Sequence, residues 1–236
     1  MFSNYIGGDF LDPKYMFSNF NMIWPRWSAY EVRTWHGVNY LMPVPGAEAI
    51  PYNCAQQAEK LVSNALELGR QVFLKADGLD CLCTEFAARH GLLGLDIKNA
   101  GFIQKSAAAP CYRSFSEFEY GEVLERFQEE LLGLYRHFLS TRGELSGQGI
   151  ELPALSGRVR YRLTAGPTPQ ILWEVDSLLV ILRLAYAGLI TSPAPVLKVC
   201  KNCGKVYYNT HIKSEFCGTK CRNNYNVKIF REREKM

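Results

Sequence analysis

The sequence predicts an α+β fold, mainly α, in which a helical body with a short β element is followed by a small cysteine-bearing module. Three observations lead there. Apolar residues recur at steps of three and four in several stretches, the stretch around Tyr161 alternates with period two, and four of the eight cysteines fall together as C-x2-C-x13-C-x3-C. With 236 residues, 47% of them hydrophobic, the chain can bury a core without cross-links, so any metal would be local scaffolding.

The elements follow in chain order. Residues 1–50 are rich in Trp, Tyr, Phe, Asn and Pro and show no sustained period. "IWPRW" at 23–27 reads as an aromatic cap on the core, and "EVRTWHGVNYLMPV" as a short hairpin turning near His36 and Gly37. A helix is expected after Pro51, with Asn53 as N-cap, Gln56 three residues later, and Gly69 as its left-handed end. Its apolar set is Cys54, Ala58, Leu61, Ala65 and Leu68. A second helix runs from Asp80 to about His90, ending at Gly91, and residues 91–114 read as a connection.

The clearest helix carries Leu124, Phe127, Leu131, Leu134 and Phe138 at steps of 3, 4, 3 and 4, too short a stripe for a coiled coil and suited to core packing. The acidic run at 122–130 reads as its solvated face. In "SGRVRYRLTAG", Val159, Tyr161 and Leu163 alternate with Arg158, Arg160 and Arg162, the pattern of a half-buried strand whose other face is cationic. Such a face either blocks unwanted pairing or meets an anion. A helix apolar nearly all round should then start with Thr168 as N-cap and Pro169 in its first turn and pass through the middle of the body. "TSPAP" breaks it. This division gives a mainly helical domain over 1–190, a linker over 191–197 and a cysteine module over 198–236.

Charge separates the two parts. From Lys198 onward there are ten Lys/Arg against three Asp/Glu, whereas the remainder has 17 against 20. A basic end on a mildly acidic body favours an acidic partner, most simply nucleic acid, DNA or RNA. The stretch "MFSNYIGGDFLDPKY" has neither a basic n-region nor an apolar h-region, and the apolar run 171–190 carries Glu174, Asp176 and Arg183, so the expectation is a cytoplasmic protein with no membrane partner. Reduced thiols then favour metal over disulfide.

Cys200, Cys203, Cys217 and Cys221 are the expected ligands of a zinc ion. Two residues between Cys200 and Cys203 allow a tight knuckle, and Gly204 supplies dihedrals that turn amide hydrogens toward the sulfurs. Cys217 and Cys221, four apart at a helix start, share one face and a favourable dipole end. Between the pairs, "GKVYYNTHIKSEF" has room for a hairpin, and knuckle, hairpin and helix together make a treble clef. His211 is the one alternative ligand. Cys81 and Cys83 point to different faces of a helix, Cys54 and Cys111 read as core thiols, and His36, His90 and His137 are not expected to bind metal.

"CKNCGKVYY" followed by "EFCGTKCRNNYN" resembles the carboxy-terminal zinc finger of a group of bacterial domain-of-unknown-function proteins, and more loosely CGNR-type and other treble-clef fingers. The likeness covers roughly residues 175–225. It implies the metal role for the same four cysteines. The sequence departs from the strict CGNR order, since Cys221 is followed by Arg222, Asn223 and Asn224.

Two functions remain in view. One is a nucleic-acid-binding regulator that uses the finger and a basic helix, with Lys220, Arg222, Asn223, Lys228, Arg231 and Arg233 as contacts. The other is a structural zinc module in a protein-interaction or scaffold protein. No P-loop, G-x-G-x-x-G, H-E-x-x-H or nucleophile elbow is present, and four thiolates leave zinc no open position, so an enzyme is not expected.

Overall fold

The computed structural model describes residues 23–95, 120–145, 150–153, 159–165, 170–175 and 177–234. Most of the 91–114 connection, Cys111, Arg158 and the expected helix start at Thr168 and Pro169 lie outside them.

Among the described residues the architecture is α+β, with five α-helices and short strands that all pair antiparallel. β1 (Ile23–Trp27) pairs with β4 (Ala49–Asn53), and β2 (Tyr30–Trp35), β3 (Val38–Pro43) and β5 (Glu122–Val123) form a three-stranded sheet. The β2–β3 hairpin turns where expected. His36 and Gly37 both take positive φ, 49° and 78°, as a two-residue turn matched to strand twist requires. Trp24 and Trp27 are buried as an aromatic cap, and the Trp24 indole N–H donates to the Leu92 carbonyl at 3.0 Å.

α1 (Ala58–Phe73) is preceded by a 3-10 turn at Cys54–Gln57, so its N-cap is Gln57 and not Asn53. Gly69 does not end it either. The helix continues a full turn beyond Gly69, which sits where α1 crosses α3 (Leu124–Thr141). A Cβ there would fall against the Leu131 carbonyl and 2.9 Å from Tyr135 Cβ. The glycine is needed for close approach, not for a left-handed cap. In an exposed helix Gly→Ala stabilises by up to about 1 kcal/mol, so the sign is diagnostic. Gly69→Ala is expected to cost about 1–3 kcal/mol in denaturant unfolding, as overpacking does.

α2 (Leu79–His90) stops at Gly91 as expected, and α3 buries all five residues of its stripe. The last body helix differs from its expected start. α4 (Leu178–Ile190) is capped by Ser177, whose hydroxyl accepts from the Val180 N–H at 3.3 Å. The preceding "QILWEV" is strand β7 (Gln170–Val175), which pairs with β6 (Val159–Thr164). Ile171, Trp173 and Val175 stand opposite Leu163, Tyr161 and Val159. Such branched and aromatic alternation favours a strand over continued helix. The half-buried expectation for β6 also fails, because Tyr161 is 62% and Leu163 71% exposed. Alternation marks a strand but does not supply a layer to cover it.

The core gathers α1, α3, α4 and the inner faces of α2, β1 and β3, and it extends into the cysteine module through Leu197 and Val206. Glu122, expected on a solvated face, is buried instead. Its carboxylate accepts from the N–H groups of Leu93, Gly94 and Leu95 at 2.9, 2.5 and 3.0 Å and from the Tyr120 hydroxyl at 2.8 Å. The Glu stitches the loop after α2 to strand β5. Glu130, also in that acidic run, pairs with Arg183 of α4 at 2.5 Å.

Candidate metal centre

β8 (Leu197–Val199) and β9 (Val206–Tyr208) are the two arms of a hairpin whose turn carries Cys200 and Cys203. The hairpin thus straddles the first cysteine pair and is not contained between the pairs, as the sequence suggested. Leu197 and Val206 drive this, since both are apolar and both enter the core, which fixes the register of the two arms. Gly204 has φ 70°, in the left-handed region, and its N–H returns to the Cys200 carbonyl at 2.9 Å. That turn aims the amides of Asn202 and Cys203 at the Cys200 sulfur and the amide of Lys205 at the Cys203 sulfur.

Residues 209–218 then cross the hairpin as an irregular loop. Its backbone is tied down by Lys198, whose amine donates to the carbonyls of His211 and Ile212, and by Tyr207, whose hydroxyl donates to the Ser214 carbonyl at 3.1 Å. The Lys201 N–H donates to the Glu215 carbonyl at 3.0 Å, and their side chains form an ion pair. This delivers Cys217 beside the knuckle. α5 (Thr219–Arg233) starts two residues later and presents Cys221 from its first turn. Cys217 therefore stands just ahead of the helix, not inside its first turn.

The four sulfurs of Cys200, Cys203, Cys217 and Cys221 all lie within 4.8 Å of one another. Two separations are shorter, 3.7 Å for Cys203 to Cys217 and 3.5 Å for Cys217 to Cys221. Four sulfurs placed about 2.3 Å from a tetrahedral centre are about 3.8 Å apart. The donor set could hold an ion of that kind, and neither short separation approaches the about 2.05 Å of a disulfide. His211 is exposed and outside the cluster, its carbonyl engaged by Lys198.

The thiols do not ionise alike. Burial opposes a thiolate at Cys200, but the amides of Cys217, Cys203 and Asn202 outweigh it and bring the pKa down to about 6. At Cys217 burial and then the neighbouring sulfurs push the value up, and burial does the same at Cys203. One thiolate is readily held at Cys200, whereas Cys203 and Cys217 resist ionisation, and a cation at the cluster would favour their thiolate forms.

The module docks on α1. The Val206 N–H donates to the Glu67 carboxylate at 3.3 Å, Glu67 also accepts from Arg70 and Gln71, and the Arg70 guanidinium passes beside Gly204. α5 itself buries no side chain. Of the basic residues expected to act together, Lys220, Lys228 and Arg231 share one side of it with Asn224, while Arg222 and Arg233 lie toward another side and Asn223 between them. Val227 and Phe230 are exposed on the same helix, at 48% and 62%.

The remaining cysteines behave as expected where described. Cys54 and Cys83 are buried and Cys81 is exposed. Burial pushes the Cys83 thiol up to about 11. Among the described residues no helix is long and apolar enough to cross a membrane. Comparison with family models, curated proteins and solved structures finds no match for the chain. The four clustered cysteines are consistent with a zinc finger, and no family is assigned by the comparisons.

Proposed function

We propose that the chain is a zinc protein whose treble-clef module, from residue 198 onward, contacts nucleic acid through α5. The donor set supports zinc, because four thiolates at tetrahedral spacing suit that ion and close its coordination sphere. A closed sphere gives the metal a structural part and no catalytic one. The single observation that carries the nucleic-acid reading is α5. α5 half-buries a single stripe, Cys221, Tyr225 and Ile229, and holds Lys220, Arg222, Lys228, Arg231 and Arg233 in solvent over the rest of its surface, more cation than a helix that only holds the finger together needs. Its first turn is anchored by Cys221, so the metal would set the direction in which those cations project.

The reading is tested by titrating the purified protein with duplex and single-stranded oligonucleotides at two salt concentrations. Affinity should fall steeply with salt, by a slope of about 0.9 per phosphate neutralised on duplex DNA. Arg231→Ala and Arg222→Ala should each lower that slope by about 1. Absence of binding at low salt would leave the second reading.

That second reading is a structural clamp in a protein-interaction or scaffold protein, and a specific observation favours it too. Leu197 and Val206 join the core of the body, and Glu67 reaches into the module from α1. A finger seated in this way ties the end of α4 to the middle of α1.

A further inference from the structure

A second feature lies on the other half of α1. A cleft of about 210 Å³ opens between β1, β4, the start of α1 and the end of α2. Among the described residues its charged lining is cationic, from Arg26 on β1, Lys60 on α1 and Arg89 on α2, with no carboxylate. Neutral amides add to this, Gln57 and Asn64, so the wall offers many donors and little to repel an anion.

The wall is held in place before any ligand arrives. Arg26 Nη1 donates to the Ala88 carbonyl at 2.8 Å while its guanidinium lies 5.5 Å from the Tyr52 ring centre. The Tyr52 hydroxyl donates to the His90 carbonyl at 2.7 Å, which pins the ring. Asn64 Nδ2 lies 2.9 Å from His90 Nε2, and an amide that donates there leaves the ring proton on Nδ1. That Nδ1 and Arg26 Nε are both buried, and neither has an acceptor among the described residues. Burial, with Arg89 and Arg26 nearby, brings His90 down to about 4, so the floor of the cleft is a neutral ring. Among the described residues, only Arg89 of the three cations has a carboxylate close by, Glu85 at 3.1 Å on the exposed side of α2.

We propose that this cleft binds a small phosphorylated ligand, gripped by Arg26, Lys60 and Arg89. Three positive groups around one small opening match a dianion better than a monocarboxylate, and Arg26 supplies a fixed planar fork where Lys60 supplies a mobile point charge. The size favours a free small molecule. A polymer backbone would meet the exposed Lys60 and Arg89 but not the recessed Arg26 and His90. The site is independent of the zinc module, which docks on α1 farther along, at Glu67 and Arg70.

The test is isothermal titration of the full-length protein with inorganic phosphate and with glycerol phosphate, beside a sodium acetate control. Saturable one-to-one binding of the phosphates is expected, with acetate at least about tenfold weaker. Lys60→Gln and Arg89→Gln are exposed changes that leave the fold intact, checked by an unchanged melting temperature in phosphate-free buffer. Each should weaken phosphate by about tenfold, as loss of one charged hydrogen bond does. Arg26→Lys tests the fork, and should weaken binding while keeping the charge. No saturation at millimolar phosphate, or full affinity in both Gln variants, would overturn the proposal. So would an outcome in which Lys60→Gln abolishes oligonucleotide binding while neither small phosphate binds.

Discussion

Withdrawal of the metal with a strong chelator is expected to melt α5 and the 209–218 loop while α1 to α4 stay folded. α5 is 15 residues long and only half-buries Cys221, Tyr225 and Ile229, with the Tyr225 ring centre 5.2 Å from that of Phe216, so tertiary packing gives it little. Isolated helices of that length are marginal in water. On the proposed reading what holds it is a metal bond from Cys221 and the position of Cys217 just ahead of it. Metal binding of this type is worth on the order of 10 kcal/mol, which is folding free energy for the segment that depends on it. Far-UV circular dichroism should lose about one helix worth of signal on chelation and recover it on zinc addition. Cys217→Ser and Cys221→Ser should reproduce the loss without chelator. The β8–β9 hairpin should survive in part, because Leu197 and Val206 have their own apolar partners in the body. Hydrogen exchange separates the two segments, with α5 amides expected to lose protection first.

The second large effect is expected at Glu122. Truncation to Ala leaves the buried N–H groups of Leu93 and Gly94, the half-buried N–H of Leu95 and the Tyr120 hydroxyl without the acceptor they use. Each unsatisfied buried donor costs about 1–3 kcal/mol, so Glu122→Ala should lose about 3 kcal/mol or more in denaturant unfolding. Glu122→Gln should cost less. Its one oxygen can keep the donors that converge on Oε1, while its NH2 replaces the acceptor used by Leu93. The pH dependence has a definite sign. Burial outweighs the hydrogen bonds from Leu95, Tyr120, Leu93 and Gly94 and raises the folded-state pKa of Glu122. A carboxyl raised on folding keeps its proton longer in the native state, so its contribution is greatest below the unfolded value of about 4.3 and declines as pH rises through and above it. Glu122→Gln should abolish that decline.

The four-cysteine cluster was legible in the sequence because its chemistry is local. Two short cysteine spacings and a glycine after the second thiol leave few other uses for those residues, and the structure brings all four sulfurs together. The helices of the body were legible for a similar reason, since the α3 stripe repeats at 3.6-residue spacing and the core sits on one side. Features that depend on what lies across a contact were not legible. Gly69 reads as a cap from its neighbours in the chain, yet its reason is the backbone of Leu131 on another helix. Glu122 reads as solvated because an acidic run follows it, whereas its partners are amides almost 30 residues earlier. A signal was present in "GLLGL", where glycines allow successive amides to converge on one anion, but no local pattern identifies which carboxylate fills it. Ser177 does not stand out beside Thr168, because the Pro-rich turn is a stronger helix-start signal than a lone serine between apolar runs. The cationic cleft joins β1, α1 and α2, and Arg26, Lys60 and Arg89 are too far apart in the chain to suggest one another.

The central claim is a single ion held by four sulfurs. X-ray absorption at the zinc edge on the purified protein, with metal content measured on the same sample, addresses it directly. One zinc per chain, with about four sulfur neighbours at roughly 2.3 Å and no nitrogen or oxygen shell, is the predicted result. A metal-free protein that keeps α5 folded, or a first shell containing nitrogen or oxygen in place of any of the four thiolates, would contradict it.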